Sequence, residues 1–151
     1  MQKNEVQQVN REVSKLAPFL VIKLTAALDE CTEKGYNVAL FEGYRSPERQ
    51  QWLYDQGRTR DGKIITYAKP WESFHQLGLA VDIVGKTNGK WDWSIDYDKI
   101  IEIFKRHGFK TLKFEKAHFQ IDGGLTISKA VKIAKTQGIL ALWSIVEQSM
   151  K

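Results

Sequence analysis

A single cysteine, Cys31, excludes both an internal disulfide and a thiolate metal cluster in this chain of 151 residues. Cys31 recurs with Leu20, Leu24, Ala27 and Leu28 at helical spacing, which makes it a buried small hydrophobe rather than a reactive thiol. No apolar run approaches the roughly 20 residues of a membrane span, so stable membrane insertion is not expected. The opening Met1-Gln2-Lys3-Asn4-Glu5 lacks the apolar stretch of a signal peptide, and synthesis in the cytoplasm is the expectation. Lys and Arg outnumber Asp and Glu by 23 to 18, a net charge of +5, yet the cations are scattered, with Lys105-Arg106 the only adjacent pair. Such a surface suits contact with anionic polymers, but no basic block or nucleic-acid motif stands out, and no nucleic-acid partner is expected. Only three histidines are present, and HExxH is not among their settings, so a helix-borne zinc pair is excluded. There is no internal repeat, and the length suits one ordinary domain with its own core.

Elements follow from periodicity and punctuation. Pro18 separates two helical segments, and the second runs to Gly35. Residues 37–41 read as a short buried strand. Ser46-Pro47-Glu48 is a helix start, with serine as cap, proline in the first turn and an acid beside it, and Gly57 is a fitting stop. Residues 58–72 read as a long loop, a length that in compact domains is often functional. Residues 79–84 form a strand in which Ala80 and Asp82 share one face and Val81 and Ile83 the other. Residues 97–107 form an amphipathic helix with Ile100, Ile101 and Phe104 inward, and His107 in its last turn suits the helix dipole better than a ligand role. Residues 118–121 read as a strand with His118 and Gln120 on one face, and Glu115 just before it.

The chemistry concentrates in Ser73-Phe74-His75-Gln76-Leu77-Gly78-Leu79-Ala80-Val81-Asp82 and in Glu115-Lys116-Ala117-His118. Two imidazoles and a carboxylate, His75, His118 and Asp82, make the three-ligand set of a catalytic zinc ion that keeps a fourth position for water; cobalt and manganese suit the same donors. Asp82 is a lone acid on an apolar strand, and a cation would offset the cost of burying it. An Arg or a backbone amide could do the same, and His-x6-Asp is a weak signal by itself. Glu115 lies where a base could take a proton from water, although between Lys113 and Lys116 it also reads as a solvated acid. Arg45, at the end of a strand, could bind a substrate carboxylate or an oxyanion, or pair with Glu42 or Glu48. Tyr67, Trp71 and Phe74 are equally able to line a cleft or to pack the long loop.

Ser-x-His-x6-Asp, followed by a carboxylate three residues before a second histidine, resembles the signature of the peptidoglycan metallopeptidases. These comprise D-alanyl-D-alanine carboxypeptidases and L-alanyl-D-glutamate endopeptidases, with VanX, VanY and several phage endolysins among them. Phe41-Glu42-Gly43-Tyr44-Arg45-Ser46-Pro47-Glu48-Arg49-Gln50, with Leu53-Tyr54 and Gln56-Gly57-Arg58, is similar to a block of the endolysin branch. The resemblance implies one zinc ion on His75, Asp82 and His118, Glu115 as general base and Arg45 facing substrate. Gln50 and Ser73 match motif positions at the substrate site, where they would shape the pocket and support ligands. It also implies an α+β fold, a small, mainly antiparallel sheet flanked by helices with the zinc on one sheet face, of the hedgehog and D-Ala-D-Ala peptidase type. Relatives carry a Trp-Gly-Gly loop where this chain has only Lys110-Thr111-Leu112-Lys113-Phe114, so that wall of the cleft departs from the pattern.

The expected organisation is one catalytic domain over residues 1–151, with residues 122–151 a helical extension packed on it. That extension reads as two helices, residues 125–135 and 139–148, and Ile139, Leu142, Trp143 and Val146 form the apolar stripe of the second. The expected function is zinc-dependent hydrolysis of peptidoglycan stem peptides, first as an L-alanyl-D-glutamate endopeptidase of the phage endolysin type. The alternatives are a D-alanyl-D-alanine carboxypeptidase or dipeptidase and, in another class, a wall-binding module that keeps metal without turnover. The protein is expected to be a monomer that reaches the wall after release from the cell in which it is made.

Overall fold

The computed structural model describes residues 6–151, and the expectation drawn from Met1 to Glu5 lies outside them. Five α-helices and five strands are seen among these residues: α1 Pro18–Glu33, β1 Val38–Glu42, α2 Pro47–Asp55, β2 Ala80–Thr87, β3 Lys90–Asp92, α3 Tyr97–Arg106, β4 Lys110–Leu112, β5 Glu115–Gln120, α4 Ile127–Gln137 and α5 Ile139–Ser149. All strand pairs are antiparallel, in the order β1-β2-β5-β4 with β3 also on β2. This is the α+β architecture expected.

Register is what places chemistry on this sheet. Asp82 of β2 faces His118 of β5 on one side and Glu42 of β1 on the other, so three polar residues form one row across three strands. The row depends on a bulge. Leu40 pairs with Ile83 and Glu42 with Asp82, leaving Phe41 as an extra residue that advances Glu42 into line. On the opposite face Val81, Ile83 and Phe119 are fully buried with Leu20, Leu24 and Ala27 of α1 and Ile100 and Phe104 of α3. Cys31 lies in that core, and burial pushes its thiol up to about 11. In α3 the buried set is Tyr97, Ile100, Ile103 and Phe104, so Ile103 takes the place expected of Ile101, which packs at the margin. Tyr97 and Ile100 already define the stripe, and the next position three residues on is 103.

Ser46 caps α2 by accepting from the Arg49 amide at 3.1 Å, with Pro47 in the first turn, as the sequence implies. α4 starts two residues later than expected because Thr126, not an earlier residue, supplies the cap. The last two helices complete the core through Ala130, Leu142 and Val146. They also brace the turn that carries His75: the Trp143 indole donates to the Leu77 carbonyl at 2.7 Å. Gly78 sits at φ 69°, and a Cβ there would lie 2.8 Å from the Lys15 carbonyl oxygen and 3.1 Å from the Trp143 ring. Glycine is therefore required on both counts. Leu142→Ala, at a fully buried position, is expected to cost about 3 kcal/mol, read as a lower urea midpoint at unchanged m. A cost below about 1 kcal/mol would mean that α5 merely rests on the surface.

Candidate metal centre

His75 lies in a 3-10 turn, Phe74–Leu77, capped by Ser73, whose hydroxyl oxygen accepts from the His75 amide at 3.2 Å. Its Nδ1 is 2.7 Å from the Gly43 carbonyl oxygen, an acceptor only. The proton therefore sits on Nδ1 and leaves Nε2 free as a donor of electrons. His118 is held the other way round. Its Nε2 is 2.7 Å from Oε1 of Gln120, and the Gln120 amide nitrogen donates to Asp122 Oδ2 at 2.7 Å, which fixes the oxygen toward the imidazole. Nδ1 of His118 is then the free nitrogen, 3.9 Å from Asp82 Oδ1 and from Glu115 Oε2. Asp82 turns Oδ1 to both imidazoles, 3.3 Å from His75 Nε2, while Oδ2 accepts from Arg45 Nη2 at 3.1 Å.

These three residues offer one ligand atom each within 4.8 Å of one another. Two neutral imidazole nitrogens and one carboxylate oxygen, each aimed by an outer hydrogen bond, fit a divalent cation of the zinc type. The electrostatics agree. Burial opposes a charge on Asp82, but a protonated His75 and Arg45 outweigh it and hold the carboxyl well below its usual range, and a cation on the donors would take the place of the imidazole proton. Burial pushes His118 down from 6.5 to about 4, so its nitrogen stays free for a ligand role in neutral solution. In the metal-free protein the His118 ring is expected to titrate in an NMR series near 4 rather than 6.5. Because the folded state disfavours the proton, the stability His118 contributes is complete above 6.5 and is lost as pH falls toward 4.

Glu115 is the first residue of β5 rather than part of the preceding turn, and it is half-exposed on the same side as the three donors. Burial and the nearby Asp82 charge raise its pKa above that of an ordinary glutamate. Arg45 is almost wholly buried, and its guanidinium pairs with Asp82, with Glu42 Oε1 at 2.9 Å and with Gln50 Oε1 at 3.1 Å. Of the two pairings weighed from sequence it makes the one with Glu42, and Asp82 is added. Its Nε is buried with no hydrogen-bond partner among the described residues. Gln50 is fully buried, outside the cleft wall, with its amide spent on Arg45, Gln76 and the Ala68 carbonyl. It thus holds Arg45 from behind the cleft wall. Ser73 lines the cleft. His107 pairs with Glu30 of α1 at 2.8 Å, away from the three donors.

The donors open into a cleft of about 900 Å³. Its wall includes Phe41, Trp93, Leu125 and Ile127. Phe74 belongs to the wall, whereas Tyr67 is exposed near Arg58 and Trp71 lies near Lys135, both outside it.

Glu42, weighed from sequence only as a partner of Arg45, and Gln120, Asp122 and Lys110 also support the site. Glu42 binds both Arg45 and Arg49. Gln120 and Asp122 form a chain behind His118, anchored by the Gly124 amide and by Lys110 Nζ at 2.7 Å from Asp122. Strand alternation puts Gln120 on the His118 face, so that signal was available; nothing in the sequence announced the bulge that brings in Glu42. Gln120→Leu is expected to weaken metal binding about 10–100-fold, measured by chelator competition, since the imidazole loses its tether.

A family model described as VanY, D-alanyl-D-alanine carboxypeptidase, matches residues 13–122. The peptidoglycan L-alanyl-D-glutamate endopeptidase CwlK of Bacillus subtilis (strain 168) is 37% identical over 108 residues, 64% of this chain and 65% of that protein. The chain thus spans slightly less than two thirds of this curated relative. Among solved structures, the L-Ala D-Glu endopeptidase ChiX of Serratia marcescens aligns with a TM-score of 0.54 at 24% identity, covering 72% of this chain and 81% of that one. A VanY D,D-pentapeptidase from a VanB-type resistance cassette, in complex with Zn(II), aligns at 0.54 and 21% identity, covering 95% and 84%. These two likenesses show the shared fold.

Proposed function

The chain belongs to the VanY D-alanyl-D-alanine carboxypeptidase family, and from that premise we propose that it is a zinc-dependent peptidase cutting the L-alanyl-D-glutamate bond of peptidoglycan stem peptides. The observation that carries the reading is the convergence of His75, Asp82 and His118 in one cleft with Glu115 beside them but outside the set. Zinc on these donors would supply Lewis acidity, polarising the scissile carbonyl and lowering the pKa of water from about 15.7 toward about 7.

The chain's own residues do the rest. Glu115 takes the proton of the attacking water on its carboxylate and passes it to the leaving amine. Arg45 keeps Asp82 ionised and oriented, and its positive charge lies beside the forming oxyanion. Glu115 must be ionised to act, and burial together with Asp82 raises its pKa, so protons compete with this role at a higher pH than for a free glutamate.

One observation favours the endopeptidase over the carboxypeptidase: the endopeptidase CwlK shares 37% identity over 108 residues. The protein would act as a monomer, in the manner of a phage endolysin that is made in the cytoplasm and released to the wall. Incubation with a defined stem peptide, followed by mass spectrometry, decides the bond. A new amino-terminal D-glutamate is expected; loss of a terminal D-alanine would establish the carboxypeptidase instead, and binding without any cleavage would leave a wall-binding module.

A further inference from the structure

Phe41, Trp91 and Trp93 form a ring cluster that belongs to no part of the hydrophobic core. Trp91 and Trp93 are about half-exposed. Phe41 meets Trp93 edge to face at 4.7 Å between centroids and Trp91 at 5.7 Å. The cluster is fixed from below. Asp92, between the two tryptophans, accepts hydrogen bonds from Thr87 and from the amide and hydroxyl of Ser94. Gly85 lets the hairpin close, since a Cβ there would lie 2.8 Å from the Asp92 carbonyl oxygen. Arg11 stacks on Phe41 and Trp91, and Lys86 on Trp91, whereas no cation stacks on Trp93 among the described residues.

We propose that Trp93, supported by Phe41 and Trp91, is a stacking platform for a sugar ring of the glycan strand that carries the stem peptide. The proposal rests on the peptidase reading above. Three arguments converge on a sugar. Large apolar rings left exposed and rigid beside a cleft mark a ligand surface. The C–H face of a pyranose carries partial positive charge and packs on the negative face of an indole, leaving its hydroxyls to water. Position supplies the third. Phe41 directly precedes Glu42, which faces Asp82 in the sheet, and both Phe41 and Trp93 line the cleft. In peptidoglycan the L-alanine is amide-linked to the lactyl ether of N-acetylmuramic acid, so a cut after it leaves one residue, about 3.3–3.6 Å when extended, and that short ether bridge between the scissile bond and the sugar ring. The sugar ring then lies within reach of the wall of this same cleft.

The test titrates the full chain with a peptide-free glycan strand of alternating N-acetylglucosamine and N-acetylmuramic acid, followed by tryptophan fluorescence and calorimetry. A saturable response is expected, weakened at least tenfold in Trp93→Ala and less in Trp93→Phe, with Trp91→Ala as a second variant should the first unfold. In parallel, kcat/KM is measured on a glycan-linked stem and on the same peptide without sugar. The ratio of the two is expected to fall at least tenfold in Trp93→Ala. No saturable glycan response in the unmodified protein, or an unchanged ratio in the variant, overturns the platform. Failure of the unmodified protein to cut either substrate would refute the peptidase reading instead, while the glycan titration still judges the platform.

Discussion

Glu115→Ala is expected to lower kcat on a stem peptide by roughly 10²–10⁴-fold, with metal content and the unfolding transition unchanged. The separation of effects follows from where the side chain sits. Its Oε2 is 3.9 Å from His118 Nδ1, close enough to serve a water held between them, yet the compact ligand group is His75, Asp82 and His118 alone. The glutamate is half-exposed and has no ion-pair partner besides His118 among the described residues, so its loss leaves no buried charge stranded. A ligand would behave differently: removing it would strip metal and activity together. If Glu115→Ala hydrolyses stem peptides at the unmodified rate with normal fold and metal content, the assignment of the base is wrong.

Glu42→Ala is expected to destabilise the protein by about 3–5 kcal/mol, measured by urea denaturation. Glu42 is only 2% exposed and is shared by two guanidinium groups, Arg45 at 2.9 Å and Arg49 at 2.5 Å. Burial opposes its charge, but Arg45 and Arg49 more than compensate and keep its pKa below the ordinary glutamate value. Removing the carboxylate takes from Arg49 its ion-pair partner and leaves Arg45 with Asp82 and Gln50 alone, and both arginine side chains are almost fully buried. The same linkage sets a pH window: with a lowered folded pKa, the contribution of Glu42 is complete above the unfolded glutamate value and is lost as pH falls through the folded one. A second consequence reaches the metal centre. Arg45 bridges Glu42 and Asp82, so the variant is also expected to bind metal more weakly. A variant as stable as the parent would show that the network is solvated in solution.

Much of this was legible in the chain because local rules and tertiary demands agree. Ser46-Pro47 starts a helix on its own chemistry, and one acid on an apolar strand announces a buried partner before any fold is known. Strand alternation pointed His118 and Asp82 at faces that the register then brought opposite each other. What escaped depended on pairing between distant segments. The bulge at Phe41 has no compositional mark, and without it Glu42 would not face Asp82. Gln50 sits in the matching motif block, yet only packing against Gln76 and Ala68 shows that it holds Arg45 from behind. Ile103 displaced Ile101 from the core by a rotation of α3 that depends on which neighbours it meets.

The departure at residues 110–114 also acquires a form. It is a short strand and a tight hairpin into β5, with Phe114 at the tip almost fully exposed. Lys110, at its base, ends on Asp122 and so reaches His118 through Gln120. The segment thereby braces His118 from behind, and Lys110 and Leu112 also line the cleft.

The most direct test of the metal centre is the metal content of freshly prepared protein never exposed to chelator, read by mass spectrometry of the elements beside stem-peptide cleavage. One zinc ion per chain is predicted, removed together with activity by chelator and restored together by added zinc. Protein that cleaves the peptide with no stoichiometric metal, or that holds none and cleaves nothing when zinc is supplied, would contradict the account.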